Sequence, residues 1–208
     1  MVKQAKNCAD NQHSRRTLRN HYRQLRRNLK ACQQQQAALA LSKQLIRSRY
    51  FLRAKNIAVY WPDDGEISLL PFIEQAWAMK KRIFLPVITQ AGQMQFAQLT
   101  PHSSLIDGRW GIPQPLSTRV VKPLILDTLL LPLVAFDTNG NRLGRGGGFY
   151  DRFLALLSRD SSNTHKRHKN SIIIGVAHRC QQAKSIPTES WDIPVDAVIT
   201  DKAIHITS

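Results

Sequence analysis

From Asn56 onward the chain repeats one grammar, in which short apolar runs bounded by turn residues alternate with segments of helical period. The runs Ile57 to Trp61, Arg82 to Val87, Asp127 to Leu133, Ser171 to Ala177 and Val195 to Thr200 are nearly continuous rather than alternating, the pattern of strands buried on both faces. Leu69 to Lys80 and Phe149 to Arg159 carry the helical spacing between them. A sheet covered on both faces needs helices above and below it, so the pattern predicts a three-layer α/β/α domain with a mostly parallel sheet. Gln93 to Leu99 alternates loosely with period two after the Ala91-Gly92 turn and is expected to pair antiparallel.

Two helices precede this region. Ser14 offers an N-cap, and Leu18, Tyr22, Leu25 and Leu29 recur at i, i+4, i+7, i+11, with arginines on the other faces. Ala37, Ala40, Leu41, Leu45 and Ile46 mark a second helix ending near Arg49, and the two are expected to form a leading helical layer. Residues 1–13 are polar and aperiodic, which predicts a flexible tail ahead of a single domain over 14–208. The chain of 208 residues suits one core at about 150 residues per domain. A basic stretch from Thr164 to Asn170 is expected as an exposed loop.

Composition limits the function classes. A hydrophobic fraction of 42% is ordinary for a globular protein. No apolar run approaches the roughly 20 residues of a membrane span, and the first residues carry Lys3, Lys6 and Arg15 without an apolar segment, so a cytoplasmic protein with no membrane partner is expected. Cys8, Cys32 and Cys180 are scattered and read as free thiols rather than as a zinc site or a disulfide framework. The net charge of +16 is unusual and attracts polyanions, without separating nucleic acid from nucleotide or polycarboxylate.

The segment Asp137-Thr138-Asn139-Gly140-Asn141-Arg142-Leu143-Gly144-Arg145-Gly146-Gly147-Gly148-Phe149-Tyr150-Asp151 follows a strand and enters a helix. Glycines before a helix N-terminus expose backbone N–H groups to an anion, and Arg142 and Arg145 add forked donors suited to phosphate. Neither GxxxxGK followed by Ser or Thr nor a GxGxxG after the first strand is present, so this is an unfamiliar cradle. Asp151 reads either as a magnesium ligand beside phosphates or as a first-turn helix stabiliser.

This run closely resembles the signature of 5-formyltetrahydrofolate cyclo-ligases, also called 5,10-methenyltetrahydrofolate synthetases. Further matches follow in order: Arg15-Arg16-Thr17-Leu18-Arg19, Asp64-Gly65-Glu66-Ile67, Trp110-Gly111-Ile112-Pro113-Gln114-Pro115 and Trp191-Asp192-Ile193-Pro194-Val195-Asp196. The resemblance spans about Arg15 to Thr200. It implies a Rossmann-like fold of the NagB/RpiA/CoA transferase-like kind and a monomer. The implied reaction is an ATP- and Mg²⁺-dependent cyclisation of 5-formyltetrahydrofolate to 5,10-methenyltetrahydrofolate through a phosphorylated formyl oxygen, with release of ADP and phosphate. Carried over by residue, it assigns Arg15, Arg19, Arg142, Leu143, Gly144, Arg145, Gly146, Gly147, Gly148, Phe149 and Tyr150 to ATP. Arg145 and Tyr150 carry catalysis, and Asp151 and Asp192 hold Mg²⁺. Trp61, Glu66 and Trp110 bind the folate, together with Arg145 and the Gly146 to Phe149 stretch. Trp191 is expected to be packing. Two positions depart from the pattern, since Gly147 and Arg15 stand where many relatives carry Lys. Cellular folates carry glutamate tails, which gives the basic surface a use as a contact for polyglutamylated substrate.

Two rival functions remain open from the sequence. An RNA-binding module would use the arginine helix to track phosphates, though Tyr22 is the one aromatic interleaved there. A sugar-phosphate isomerase on a related scaffold would need no nucleotide.

Overall fold

The computed structural model describes residues 2–116, 119–159, 171–189 and 191–207, leaving aside the side chains of 2–10, Trp110 and 157–159. Twelve strands occur among them: β1 Asn56–Ala58, β2 Arg82–Ile88, β3 Met94–Leu99, β4 Leu105–Asp107, β5 Pro113–Pro115, β6 Val120–Val121, β7 Thr128–Pro132, β8 Ala135–Phe136, β9 Arg142–Leu143, β10 Ile172–Ala177, β11 Ala197–Thr200 and β12 Ile204–Ile206. The α-helices are α1 Val2–Arg27, α2 Ala31–Arg47, α3 Arg49–Arg53, α4 Leu70–Ala78 and α5 Phe149–Arg159. Eight strands form one sheet in the order β12-β11-β10-β7-β1-β2-β3-β6. The inner five, β11, β10, β7, β1 and β2, are parallel, and β12, β3 and β6 add antiparallel edges.

Successive residues of each central strand enter opposite cores, as the pleat requires. Ile57 and Val59, Ile83 and Leu85, Leu130, Ile174 and Ile199 face one core, which α2, α3 and α4 close with Leu41, Leu45, Phe51, Phe72 and Ile73. Ala58, Phe84, Leu129, Leu131, Ile173 and Val198 face the other, closed by Phe153 and Leu154 of α5. The unbroken apolar runs are thus explained by burial on both sides. Gly175 in β10 is a packing requirement, because a Cβ there would stand 2.6 Å from Leu133 Cδ2.

Three expectations need correction. The helix expected to start at Ser14 begins at Val2, because no Gly or Pro interrupts residues 2–27 and residues of ordinary helix propensity continue the spiral. Residues 11–13 are therefore helical, and Asn11 Nδ2 donates to Glu189 Oε1 at 2.7 Å. Second, α1 does not join α2 in a layer: Leu18 and Tyr22 pack on Ala135, Leu143, Ala183 and Ile186, beside the short β8–β9 ribbon. Third, the inward stripe of α1 is not the apolar one. Leu25 is exposed, whereas Arg15 and Arg26 are buried and Arg19 and Tyr22 half-buried, so the buried row runs 15, 19, 22, 26 at the same i, i+4, i+7, i+11 spacing. The loop expected at Thr164 to Asn170 lies outside the described residues. No helix among the described residues is long and apolar enough to cross a membrane.

Candidate active site

Among the parallel strands the order β2-β1-β7-β10-β11 reverses direction between β1 and β7, and a doubly wound sheet opens a crevice beyond the carboxyl ends of its strands at such a point. A cavity of about 690 Å³ lies there, lined by Tyr60, Trp61, Asp63 and Glu66 after β1, Pro86 and Ile88 at the end of β2, and Pro132 at the end of β7. Its other walls are the glycine loop, the first turn of α5, Arg15 and Arg19 of α1, and Trp191 with Asp192. Elements distant in the chain thus meet at one place because the topology brings their ends together.

The glycine loop is set by the ribbon before it. Asp137 is buried, and its carboxylate accepts from Asn139 N at 3.0 Å, Asn141 N at 3.1 Å, Asn141 Nδ2 at 3.0 Å and Ile186 N at 3.0 Å. Those bonds close the β8–β9 turn, which brings Arg142 and Gly144 to the cavity wall. Gly146 and Gly148 have φ of 102° and 64°, a region costly to residues with a Cβ, and a Cβ on Gly148 would also meet Arg152 Nη1 at 2.9 Å. Arg19 Nε donates to Gly144 O at 2.9 Å and ties α1 to the loop.

Arginine–carboxylate pairs organise the polar wall. Arg142 Nη2 contacts Asp151 Oδ1 at 2.5 Å, and its Nε is buried and donates to no partner among the described residues. Arg15 is paired through Nη1 with Asp192 Oδ2, donates from Nη2 to Asp192 Oδ1 at 3.2 Å and from Nη1 to Pro187 O at 3.1 Å. Burial is the largest single influence on Asp192 and disfavours its charge, but the hydrogen bonds from Arg15 and from Glu189 N, with the charges of Arg15 and Arg142, together outweigh it and hold the carboxyl below its ordinary range. Arg145 pairs with Asp63 at 2.7 Å and reaches within 4.0 Å of Glu66 Oε1.

Glu66 is buried in a tight turn whose Asp64 and Gly65 have φ of 55° and 74°. Asp63 N donates to its Oε2 at 3.2 Å, whereas its Oε1 is buried without a hydrogen bond. Desolvation dominates its titration and pushes it up to about 7 against the pull of Arg26 and Arg145. Burial also raises the Tyr150 phenol far above its ordinary range, so it offers a protonated hydroxyl at neutral pH. Beside the Gly65 backbone, burial lowers His178 to about 4 and keeps it neutral.

The structure brings Arg15, Arg19, Trp61, Glu66, Arg142 and Gly144 to the same cavity, and with them the run Arg145 to Asp151 and Asp192. Leu143 is the exception, with its side chain in the small core against Ala135 and Ala183. The Trp110 side chain lies outside the described residues. Trp191, expected to be packing, is instead 60% exposed and lines the cavity, because Asp192 beside it is drawn to Arg15. Sequence reasoning also missed Asp63, Met94, Ile112 and Gln114 in the wall; the consecutive acids Asp63 and Asp64 before Gly65 were the available signal for the first.

Two carboxylates, Asp151 and Asp192, are the candidate metal ligands in this wall. Among the described residues no group of three or more His, Cys, Asp or Glu side chains could hold a metal ion alone. That donor set fits Mg²⁺ arriving with phosphates, since this ion keeps several waters and takes only one or two carboxylates.

Known proteins agree with this architecture. The family model described as the 5-formyltetrahydrofolate cyclo-ligase family matches residues 11–201. The 5-formyltetrahydrofolate cyclo-ligase of Haemophilus influenzae is 39% identical over 189 residues, covering 89% of this chain and 96% of its own. That of Escherichia coli K12 is 40% identical over 186 residues, covering 88% and 97%. The solved structure of the Aquifex aeolicus 5,10-methenyltetrahydrofolate synthetase superposes with a TM-score of 0.78 at 30% identity, covering 92% of each chain. A cavity built by the matched motifs at the sheet's crossover, and a match to the family model over nearly the whole chain, lead to one conclusion: this chain is an enzyme of the 5-formyltetrahydrofolate cyclo-ligase family.

Proposed function

We propose that the enzyme uses ATP and Mg²⁺ to close 5-formyltetrahydrofolate to 5,10-methenyltetrahydrofolate, releasing ADP and phosphate. The observation that carries this reading is a pair of unsatisfied buried atoms on two residues that line one cavity: Arg142 Nε, a donor beside the glycine loop, and Glu66 Oε1, an acceptor in the turn after β1. A buried polar atom without a partner costs about 1–3 kcal/mol, so each suits a ligand group of opposite character. An anion satisfies the first. The amino and ring N–H groups of a pterin satisfy the second, and Trp61, Pro86, Ile88 and Met94 supply a flat apolar wall for its ring.

The chemistry explains the need for both. Nitrogen donation makes a formamide a poor electrophile. The formyl oxygen attacks the γ-phosphorus of ATP, the bond to the β-phosphate oxygen breaks, and ADP leaves. N10 then attacks the formyl carbon, the carbon–oxygen bond breaks with its electron pair going to phosphate, and the N10 proton leaves to a phosphate oxygen. Arg142, Arg145, Arg15 and the amides of Gly144 to Gly148 hold the phosphates and the charge that develops on them. Tyr150 donates a hydrogen bond from its protonated hydroxyl. When bound, Mg²⁺ neutralises phosphate charge, and Asp151 and Asp192 are the residues that would hold it. Both are paired with arginines, Asp192 with Arg15 and Asp151 with Arg142, so binding of a nucleotide with its cation would free these guanidinium groups for phosphate and these carboxylates for the cation.

The arginine pattern argues against the RNA rival, because Arg23, Arg26 and Arg27 are all paired with the Asp64 carboxylate. The test is to mix the purified enzyme with 5-formyltetrahydrofolate, ATP and Mg²⁺ and to follow the methenyl chromophore with phosphate release. Equal amounts of both are expected. Calorimetry that finds no nucleotide binding, or chromophore forming at the same rate without ATP, overturns the reading.

A further inference from the structure

Arg26 is fully buried yet does not line the cavity. Its Nε donates to Asp64 O at 2.9 Å, its Nη2 to Asp64 Oδ2 at 2.8 Å and its Nη1 to Leu133 O at 3.2 Å, while Nη2 also stands 3.7 Å from Glu66 Oε1. One guanidinium therefore joins the last turn of α1, the chain just after β7, and the turn that carries the acid. Holding Asp64 does not require it. Arg23 Nε donates to the same carboxylate at 2.9 Å and Arg27 pairs with its other oxygen. Of the three α1 arginines on Asp64, Arg26 is the one that also reaches Glu66; Arg145 of the glycine loop stands 3.8 Å from Asp64 Oδ2 and 4.0 Å from Glu66 Oε1.

We infer that Arg26 is a positioning residue for the folate reaction: from outside the cavity it fixes the direction of Glu66 and sustains the negative charge that the pterin N–H groups require. The charges facing Glu66 support this. Arg26 comes from α1, Arg145 from the glycine loop, Tyr150 from α5, Tyr60 from the chain after β1, and Asp63 and Asp64 from its own turn, with neutral His178 beside Gly65. Arg26 and Arg145 are the cations that favour the charge, and the Asp63 N–H adds a hydrogen bond to it. Arg145 is 38% exposed and bound to Asp63, and in the proposed reaction it moves to phosphate. Arg26 then remains as the buried cation beside the acid.

The inference rests on the folate reading for its ligand, but half of its test needs no ligand. The chain has three glutamates, Glu66, Glu74 and Glu189, so carboxyl ¹³C resonances of labelled glutamate are few enough to assign. In the free full-length enzyme Glu66 is expected to titrate near 7, and in Arg26→Met about one unit or more higher. Arg26→Lys keeps the charge and is expected within about half a unit of wild type, at the cost of the bond to Leu133 O. With 5-formyltetrahydrofolate as probe, Arg26→Met weakens binding about 10-fold or more near neutral pH, the gap narrows above about pH 9, and ATP affinity stays within about two-fold. Should Arg26→Met not fold, Arg26→Gln removes the charge and retains a donor. Wild-type titration of Glu66 in a charge-removing variant overturns the inference. So does failure of every such variant to fold, which reduces Arg26 to a brace. If wild type itself binds no folate, the proposed function falls while the titration still decides the role of Arg26.

Discussion

Replacing Glu66 by glutamine removes an acid that the folded protein holds at a disadvantage. Its carboxyl titrates at about 7 in the folded enzyme against 4.5 when free, because burial opposes the charge more than Arg26 and Arg145 favour it. A group whose folded value is raised binds its proton more tightly in the folded state, so wild-type stability declines as pH rises from about 4.5 to about 7 and stays lower above that. A rise of about 2.5 units at about 1.36 kcal/mol per unit amounts to about 3 kcal/mol. Glutamine keeps an oxygen for Asp63 N and carries no charge, so Glu66→Gln is expected to be more stable than wild type by about 3 kcal/mol at pH 8 and by under about 1 kcal/mol at pH 5. Urea denaturation at both pH values gives the two differences, and a folate titration at pH 8 is expected to show the accompanying loss of affinity. A variant no more stable than wild type at pH 8, or a difference that does not change with pH, would refute the claim that this acid is kept charged at the expense of stability.

Three other outcomes follow from the same geometry. Asp64 is nearly inaccessible; burial opposes its charge, but hydrogen bonds from Arg23, Arg27 and Arg26 bring it down to about 2. Asp64→Asn is thus expected to cost about 3 kcal/mol at neutral pH, with the gap to wild type closing as pH falls from about 4 toward about 2, read from denaturation midpoints. Gly175→Ala drives a methyl into Leu133, whose carbonyl holds both Arg26 and Gln181, and is expected to cost about 1–3 kcal/mol by thermal unfolding. Arg142→Ala removes the unpartnered donor beside the glycine loop and is expected to weaken ATP about 10- to 100-fold by calorimetry while folate affinity holds; equal loss of both ligands would deny it a phosphate role.

The central fold was legible because its strands are long apolar runs buried twice over, and five of them were located to within a few residues. Period alone could not show the β4–β5 and β8–β9 ribbons, whose two- and three-residue strands exist through pairing rather than propensity. The site was legible through its motifs, most of which reach the cavity. The arginines of α1 were not. Nothing local separates Arg26, fully buried, from its exposed neighbour Arg27; both meet Asp64, and the difference is made by Glu66 and by Leu133 O, 107 residues further on, which Arg26 reaches. The apolar stripe through Leu18 and Leu25 pointed one residue away from the true inward row, since a buried arginine row looks like a solvated face until its acids are placed.

The pairing of Arg15 with Asp192 spans 177 positions and closes one wall of the crevice. Ribosomal synthesis delivers the helix, the acid turn and the glycine loop well before that last carboxylate emerges. A nascent chain can consequently assemble much of its sheet while its crevice still lacks one side. That side closes only once the segment carrying Asp192 has been made.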